Sequence, residues 1–258
     1  HAPGLYVDVA GTVVPVVTSD AVPLATAVRL AVASADAPWR GLAAGDVVLA
    51  LASSGLHSNG YSLVRHIIAG AGIAYGDRAV DLGTNGASWG ESLLEPTRLY
   101  TSPLLRLIDG IDGGLHAPSH VTGGGIAANL ARVLPLGTWV DVDRSTWAPP
   151  PVFQVFAEIG KLDITATEGT WNLGIGFLAI VSAETATAAT AALEAEGIAT
   201  WQVGTVHDTA LPTDGGAFEQ GAKGVDGGAV RLVGAYKNSA AQGGTTQISD
   251  RAAADGAK

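Results

Sequence analysis

From Gly45 onward, short apolar runs alternate with stretches of helical periodicity. The run Val47–Ala52 sits between Gly45-Asp46 and a polar turn, which predicts a strand at about 46–52. Val64, Ile67, Ile68 and Ala71 then recur at helical spacing, giving a helix at about 60–70. A second helix follows Glu95-Pro96-Thr97. Ser102 can cap it, with Pro103 at its first position, where a missing N–H costs nothing. Ile126, Leu130, Val133 and Leu134 mark one face of a third helix, and Val152, Phe153, Phe156 and Ile159 form the stripe of a fourth behind Pro149–Pro151. Between and after these lie a short strand at Trp139–Val142, a buried strand at Gly174–Val181, an alanine-rich helix at 184–196 and a strand at Trp201–Val206. This alternation predicts a mixed β-sheet with helices packed on its face or faces.

The flanks are less regular. Residues 5–17 alternate weakly and end in a valine-rich run, Thr12–Val17, in which Pro15 implies an edge strand or a bulge. Residues 21–44 are rich in alanine and valine, with Pro23 and Pro38, and their pattern selects no element. Beyond about 208 the composition shifts to Gly, Asp, Ala and Gln, interrupted by one apolar run, Ala229–Gly234, expected to be a last edge strand. Residues 237–258 carry almost no large apolar groups and are expected to be a disordered tail.

Composition narrows the function classes. With 258 residues, 47% hydrophobic and 15% charged, the chain is ample for one large core or two smaller ones. No apolar run reaches the ~18–20 residues of a membrane span, and no basic segment precedes an apolar stretch at the start, so no membrane partner is expected. The absence of cysteine excludes disulfides, thiolate chemistry and cysteine-based zinc sites, with the cytoplasm as default compartment. A net charge of -10 and a pI near 4.9 argue against nucleic acid as a partner, since phosphate-backbone affinity needs clustered Lys and Arg. Any phosphate must be held locally, by backbone amides and a few cations. The chain has no methionine and opens at His1 on what reads as a loop entering a strand, so a preceding segment is expected.

Three glycine-rich turns carry the candidate chemistry: Ser53-Ser-Gly-Leu-His-Ser-Asn-Gly60, His120-Val-Thr-Gly-Gly-Gly125 and Thr170-Trp-Asn-Leu-Gly-Ile-Gly176. The first two precede helices, where unpaired N–H groups and the helix dipole converge on one spot that suits phosphate. The plainer reading has Ser58 or Asn59 capping the helix and the glycines supplying positive φ. Repetition favours a site, because both turns also hold a histidine and hydroxyls: His57 and His120, with Ser54, Ser58 and Thr122. His1, His66, His116 and His207 read as packed or surface residues. No pair of histidines or carboxylates has metal-ligand spacing, and there is no Walker A sequence. Glu95 and Asn172 are polar in apolar, glycine-rich surroundings and either bond backbone locally or face a polar ligand.

Four motifs together resemble, in order and spacing, the phosphoribosylformylglycinamidine cyclo-ligase (aminoimidazole ribonucleotide synthetase) family: Ser53–Arg65, Leu94-Glu-Pro-Thr-Arg98, His120–Gly125 with Asn129, and Thr170–Gly176. The resemblance runs from about Gly45 to Val206. It implies an α+β fold, the C-terminal domain of that family, over 45–207. Residues 1–44 would then be the remnant of an N-terminal domain and connector, and 208–236 a glycine-rich extension. It implies ATP-dependent ring closure of formylglycinamidine ribonucleotide to aminoimidazole ribonucleotide in purine biosynthesis, with release of ADP and phosphate. By the same resemblance His57 and His120 are the catalytic candidates, as donors or proton-transfer groups. Ser54, Gly55, Ser58, Asn59, Gly60, Thr122, Gly123, Gly124 and Gly125 are the phosphate-binding candidates, joined by Asn172, Glu95, Arg65 and Arg98. Which turn holds which phosphate stays open. ATP is the expected cosubstrate. Magnesium is expected with its ligands in the absent N-terminal domain, through which the family also forms a homodimer. Two alternatives remain: another ATP-using member of the same superfamily, or a non-catalytic nucleotide-binding or assembly module.

Overall fold

The structure, a computed structural model, describes residues 5–9, 12–16, 41–80, 82–111, 115–222 and 225–237. Strands β1 (Leu5–Val9) and β2 (Thr12–Val16) form a two-stranded antiparallel sheet in which Pro15 lies opposite Tyr6. Among the described residues β2 pairs with β1 alone, so Pro15 lies on an edge strand, where the missing N–H breaks no second ladder.

The rest is a mixed seven-stranded sheet: β3 (Val47–Ala52), β4 (Ala117–His120), β5 (Trp139–Asp143), β6 (Ile175–Val181), β7 (Thr200–His207), β8 (Glu219–Ala222) and β9 (Val225–Val233), in spatial order β4-β6-β3-β7-β5-β9-β8. All pairings are antiparallel except β5 with β9. The helices are α1 (Tyr61–Gly70), α2 (Trp89–Leu93), α3 (Thr101–Gly110), α4 (Gly125–Ala131), α5 (Pro151–Gly160) and α6 (Ala186–Ala195). The architecture is α+β, as expected.

Period-two alternation in β3 divides its residues between two cores. Val48 and Ala50 join Leu178 and Ile180 under Ile126 and Leu130 of α4. Leu49 and Leu51 join Ala179 and Val181 under Leu104 of α3 and Leu193 of α6. A third cluster gathers Val64 and Ile68 of α1, Trp89 of α2, Phe153 and Phe156 of α5, and Trp171. The α5 stripe therefore packs on α1.

Three local expectations need correction. The apolar run 229–234 is not a last edge strand: it falls in β9, which starts at Val225 and lies between β5 and β8, leaving β8 as the edge. Pro103 is third in α3 rather than first, and Tyr100, not Ser102, is the N-cap, with no side-chain bond. α1 is capped by Gly60 at φ 78°, so neither Ser58 nor Asn59 closes it. Residues 21–40 and 238–258 lie outside the described residues, and with them the expected tail beyond Lys237. Among the described residues no helix is long and apolar enough to cross a membrane.

Candidate active site

Strand directions bring the three glycine-rich turns together. β3 and β4 both run antiparallel to β6 and flank it. The turn that leaves β3 (53–60), the turn that leaves β4 (after His120) and the turn that enters β6 (170–174) therefore share one end of the sheet.

The first turn is tied down from two sides. Asn172, 2% exposed, donates to Gly55 O (2.9 Å), accepts from Gly174 N (2.9 Å) and faces the Ser53 hydroxyl at 3.2 Å. On the other side, Ser54 Oγ donates to Pro96 O (2.6 Å) and Ser58 Oγ meets Thr97 Oγ1 at 3.4 Å. His57 lies between these anchors in the left-handed region, φ 57°, a conformation costing a non-glycine residue about 1–3 kcal/mol. Its Nε2 accepts from Ser54 N (3.1 Å) and faces Arg98 N at 3.5 Å. The ring is thus the tautomer with its proton on Nδ1, and that buried N–H has no partner among the described residues.

The second turn rests on the segment preceding β6. A Cβ at Gly125 (φ 70°) would lie 1.6 Å from Glu168 O, and Gly124 N donates to Gly169 O (3.2 Å). Two residues further along this segment, Trp171 occupies the space a Cβ at Gly60 would fill, its Cδ1 2.2 Å away. Residues 168–171 are therefore a common seat for both turns. Glu168 is held from behind by Arg144 (2.6 and 2.8 Å) and by the Tyr236 hydroxyl (2.7 Å). Asn129 spans the second turn from within, donating to Thr122 O and Gly125 O. The Asn59 side chain reaches toward Gly123, 3.6 Å from the position of its absent Cβ.

Burial lowers the His57 pKa to about 4, helped by the charges of His120 and Arg98. The two imidazoles are thus near neighbours although 63 residues apart in the chain. Burial also lowers the pKa of His120, whose outer face remains exposed. Both rings are neutral at neutral pH, leaving Arg98 as the local cation. Tyr100 joins the group, its hydroxyl donating to Ala52 O (2.7 Å) and burial pushing its pKa up. Gly176 is obligatory between them, since a Cβ there would lie 2.0 Å from the Tyr100 hydroxyl and 2.4 Å from His57 Cε1.

Residues 43–213 match the family described as AIR synthase related protein, C-terminal domain. The chain belongs to the AIR synthase related family. It is 49% identical over 166 residues to a Streptomyces fradiae protein provisionally named phosphoribosylformylglycinamidine cyclo-ligase, covering 64% of this chain and 88% of that one. Proteins named phosphoribosylformylglycinamidine cyclo-ligase from Rippkaea orientalis and Xanthomonas euvesicatoria are 43% and 41% identical, each match covering 63% of this chain and 46% of the relative. The chain thus spans under half the length of those two relatives. Among solved structures, thiamine-monophosphate kinase from Stenotrophomonas maltophilia superposes with a TM-score of 0.45 at 17% identity, covering 76% of this chain and 52% of the other.

Within this AIR synthase related domain, Ser54, Gly55, His57, Ser58, Asn59, Gly60, Arg98, His120, Thr122 and Gly123–Gly125 lie at the shared end of the sheet. Asn172 lies there too and bonds backbone both nearby and across the chain, at Gly174 two residues on and at Gly55 117 residues away. Glu95 lines a separate groove of about 440 Å3 with Asn85 and Glu91. Arg65 is exposed on the second turn of α1, where its charge is felt by Tyr61. Among the described residues no three His, Asp or Glu side chains come together to hold a metal. Sequence reasoning passed over Thr97, Tyr100, Glu168, Trp171 and Phe177. Thr97 and Trp171 lie inside motifs already singled out, whereas Tyr100, Glu168 and Phe177 carry no local signal.

Proposed function

We propose that this chain supplies the C-terminal part of an ATP-dependent cyclo-ligase that closes formylglycinamidine ribonucleotide to aminoimidazole ribonucleotide. The observation carrying the reading is the meeting of the two helix-initiating turns, with His57 and His120, over one seat. The names of the relatives support the reaction class. Such a closure needs the amidine nitrogen held in line with the formyl carbon and charge neutralised at the departing oxygen. ATP would supply the phosphoryl group that makes that oxygen a leaving group. The first turn, rigid and amide-rich, suits the substrate phosphate. His57 acts as a neutral hydrogen-bond donor through Nδ1, because Nε2 is already engaged by Ser54. The exposed imidazole of His120 is the better candidate to accept a proton from the ring-closing nitrogen.

The test supplies the N-terminal part of the Xanthomonas relative in trans with both substrates and follows ADP and aminoimidazole ribonucleotide. Product formation that falls at least about 100-fold in His120→Gln, with folding kept, is the expected result. Ligand binding without any turnover would instead favour a non-catalytic binding module, and binding of neither substrate would remove the site altogether.

A further inference from the structure

Two aromatic rings join the two candidate imidazoles. His57 lies 6.1 Å from Tyr100 at a 58° tilt, Tyr100 lies 5.3 Å from Phe177, and Phe177 stacks on His120 at 5.9 Å with ring planes 19° apart. Each spacing falls within the ~4.5–7 Å of interacting aromatic pairs. Strand pairing fixes the far half of this row, because His120 and Phe177 are register partners on β4 and β6. The near half depends on Tyr100.

Tyr100 meets the first turn at two places. Its hydroxyl donates to Ala52 O (2.7 Å) and so ties down the last residue of β3, directly before Ser53. Its ring faces His57, and both the hydroxyl and His57 Cε1 crowd the space that a Cβ at Gly176 would need. The phenol therefore lies against the imidazole at the carbon between its two nitrogens. A ring carried on a strained left-handed backbone stays in place only where its neighbours hold it, and Nε2 must stay on Ser54 N. Arg98 N also faces Nε2, at 3.5 Å, so residues 98–100 present a backbone donor and a ring to one imidazole. Tyr100 is 5% exposed and packs in the core with Leu49 and Leu104. Phenylalanine would fill that volume as well, so the hydroxyl is there for the bond to Ala52 O.

We propose that Tyr100 is a positioning residue for the ring closure: it fixes the His57 imidazole and, through Phe177, the spacing between His57 and His120. The inference rests on the roles given above to those two histidines.

Tyr100→Phe tests it, because the variant keeps the core volume and both ring contacts and removes the bond to Ala52 O. Nitrogen-15 spectra of the imidazoles in the full chain read the positioning without any substrate. In the native chain His57 should show one tautomer, protonated at Nδ1. In Tyr100→Phe both tautomers should be populated, whereas His120, held by strand register, should keep its resonances. In the assay with the N-terminal part in trans, the same variant should lower kcat about tenfold with KM unchanged, the pattern of an interaction needed in the transition state. Should Tyr100→Phe not fold, Phe177→Leu breaks the row at its other joint: His120 should shift while His57 keeps one tautomer, and an unshifted His120 overturns the inference. A tyrosine that serves the core alone predicts a lower Tm in Tyr100→Phe with His57 tautomer and kcat unchanged, and that result also overturns it. A mixed tautomer in the variant, with no turnover even in the native chain, removes the proposed reaction and leaves the positioning of His57 standing.

Discussion

Gly123 and Gly125 stand two residues apart in one turn and answer different demands. Gly125 is locked by φ 70° and by Glu168 O, whereas the nearest atom to a Cβ at Gly123 is 3.6 Å away, at ordinary contact distance. Gly125→Ala should therefore cost about 3 kcal/mol or more in urea unfolding, combining backbone strain with a steric clash. Gly123→Ala should cost less than about 1 kcal/mol in the same measurement. His57 makes a pH-dependent prediction. Its folded pKa of about 4 lies below the ~6.5 of an unfolded histidine, so the unfolded chain binds more protons between these values. Its contribution to stability is thus intact above about pH 6.5 and is lost as pH falls toward about 4, and His120 adds to the same trend. Unfolding midpoints across that range should slope less steeply in His57→Asn, a residue that also tolerates the left-handed backbone.

At the scale of elements, the site depends on the seat at 168–171 and on what holds it. Arg144 follows β5, Glu168 precedes β6 and Tyr236 follows β9, so one carboxylate links the ends of three strands. The Arg144 and Glu168 side chains are 15% and 19% exposed, and breaking such a pair strands a largely buried charge. Glu168→Ala should lose about 3 kcal/mol of stability by chemical denaturation, whereas Arg144→Met with Glu168→Leu should recover much of it. The glycine caps belong to this scale as well. Both Gly60 and Gly124 are left-handed N-caps without a side-chain bond, and the α4 turn is held by Asn129 from within and by Gly169 O from outside.

Across the whole molecule, the segment after β9 belongs to the fold rather than to an appendage. Tyr236 packs against two of the three core clusters, meets Trp147 edge-on at 5.3 Å and binds Glu168. Tyr236→Ala should cost about 3–5 kcal/mol, as for other large aromatic truncations, whereas Tyr236→Phe should cost about 1 kcal/mol for the lost hydroxyl bond. Thermal unfolding of the two variants checks the ratio. β8 and β9 complete the same seven-stranded sheet.

Periodicity and turn chemistry in the sequence were enough to locate β3, β6, β7, α1, α5 and the three glycine-rich turns, because those features depend on residues within one or two turns of chain. What local pattern could not supply was neighbourhood. That Gly60 needs to be glycine because of Trp171, that Gly125 needs to be because of Glu168, and that Gly176 needs to be because of Tyr100 follows from strands β3, β4 and β6 lying side by side. Contacts across such separations are set by the order and direction of strand pairing. The same cause moved β9 from the edge to the interior, showed Asn172 to be a strut, and turned two histidines 63 residues apart into neighbours whose burial keeps both uncharged.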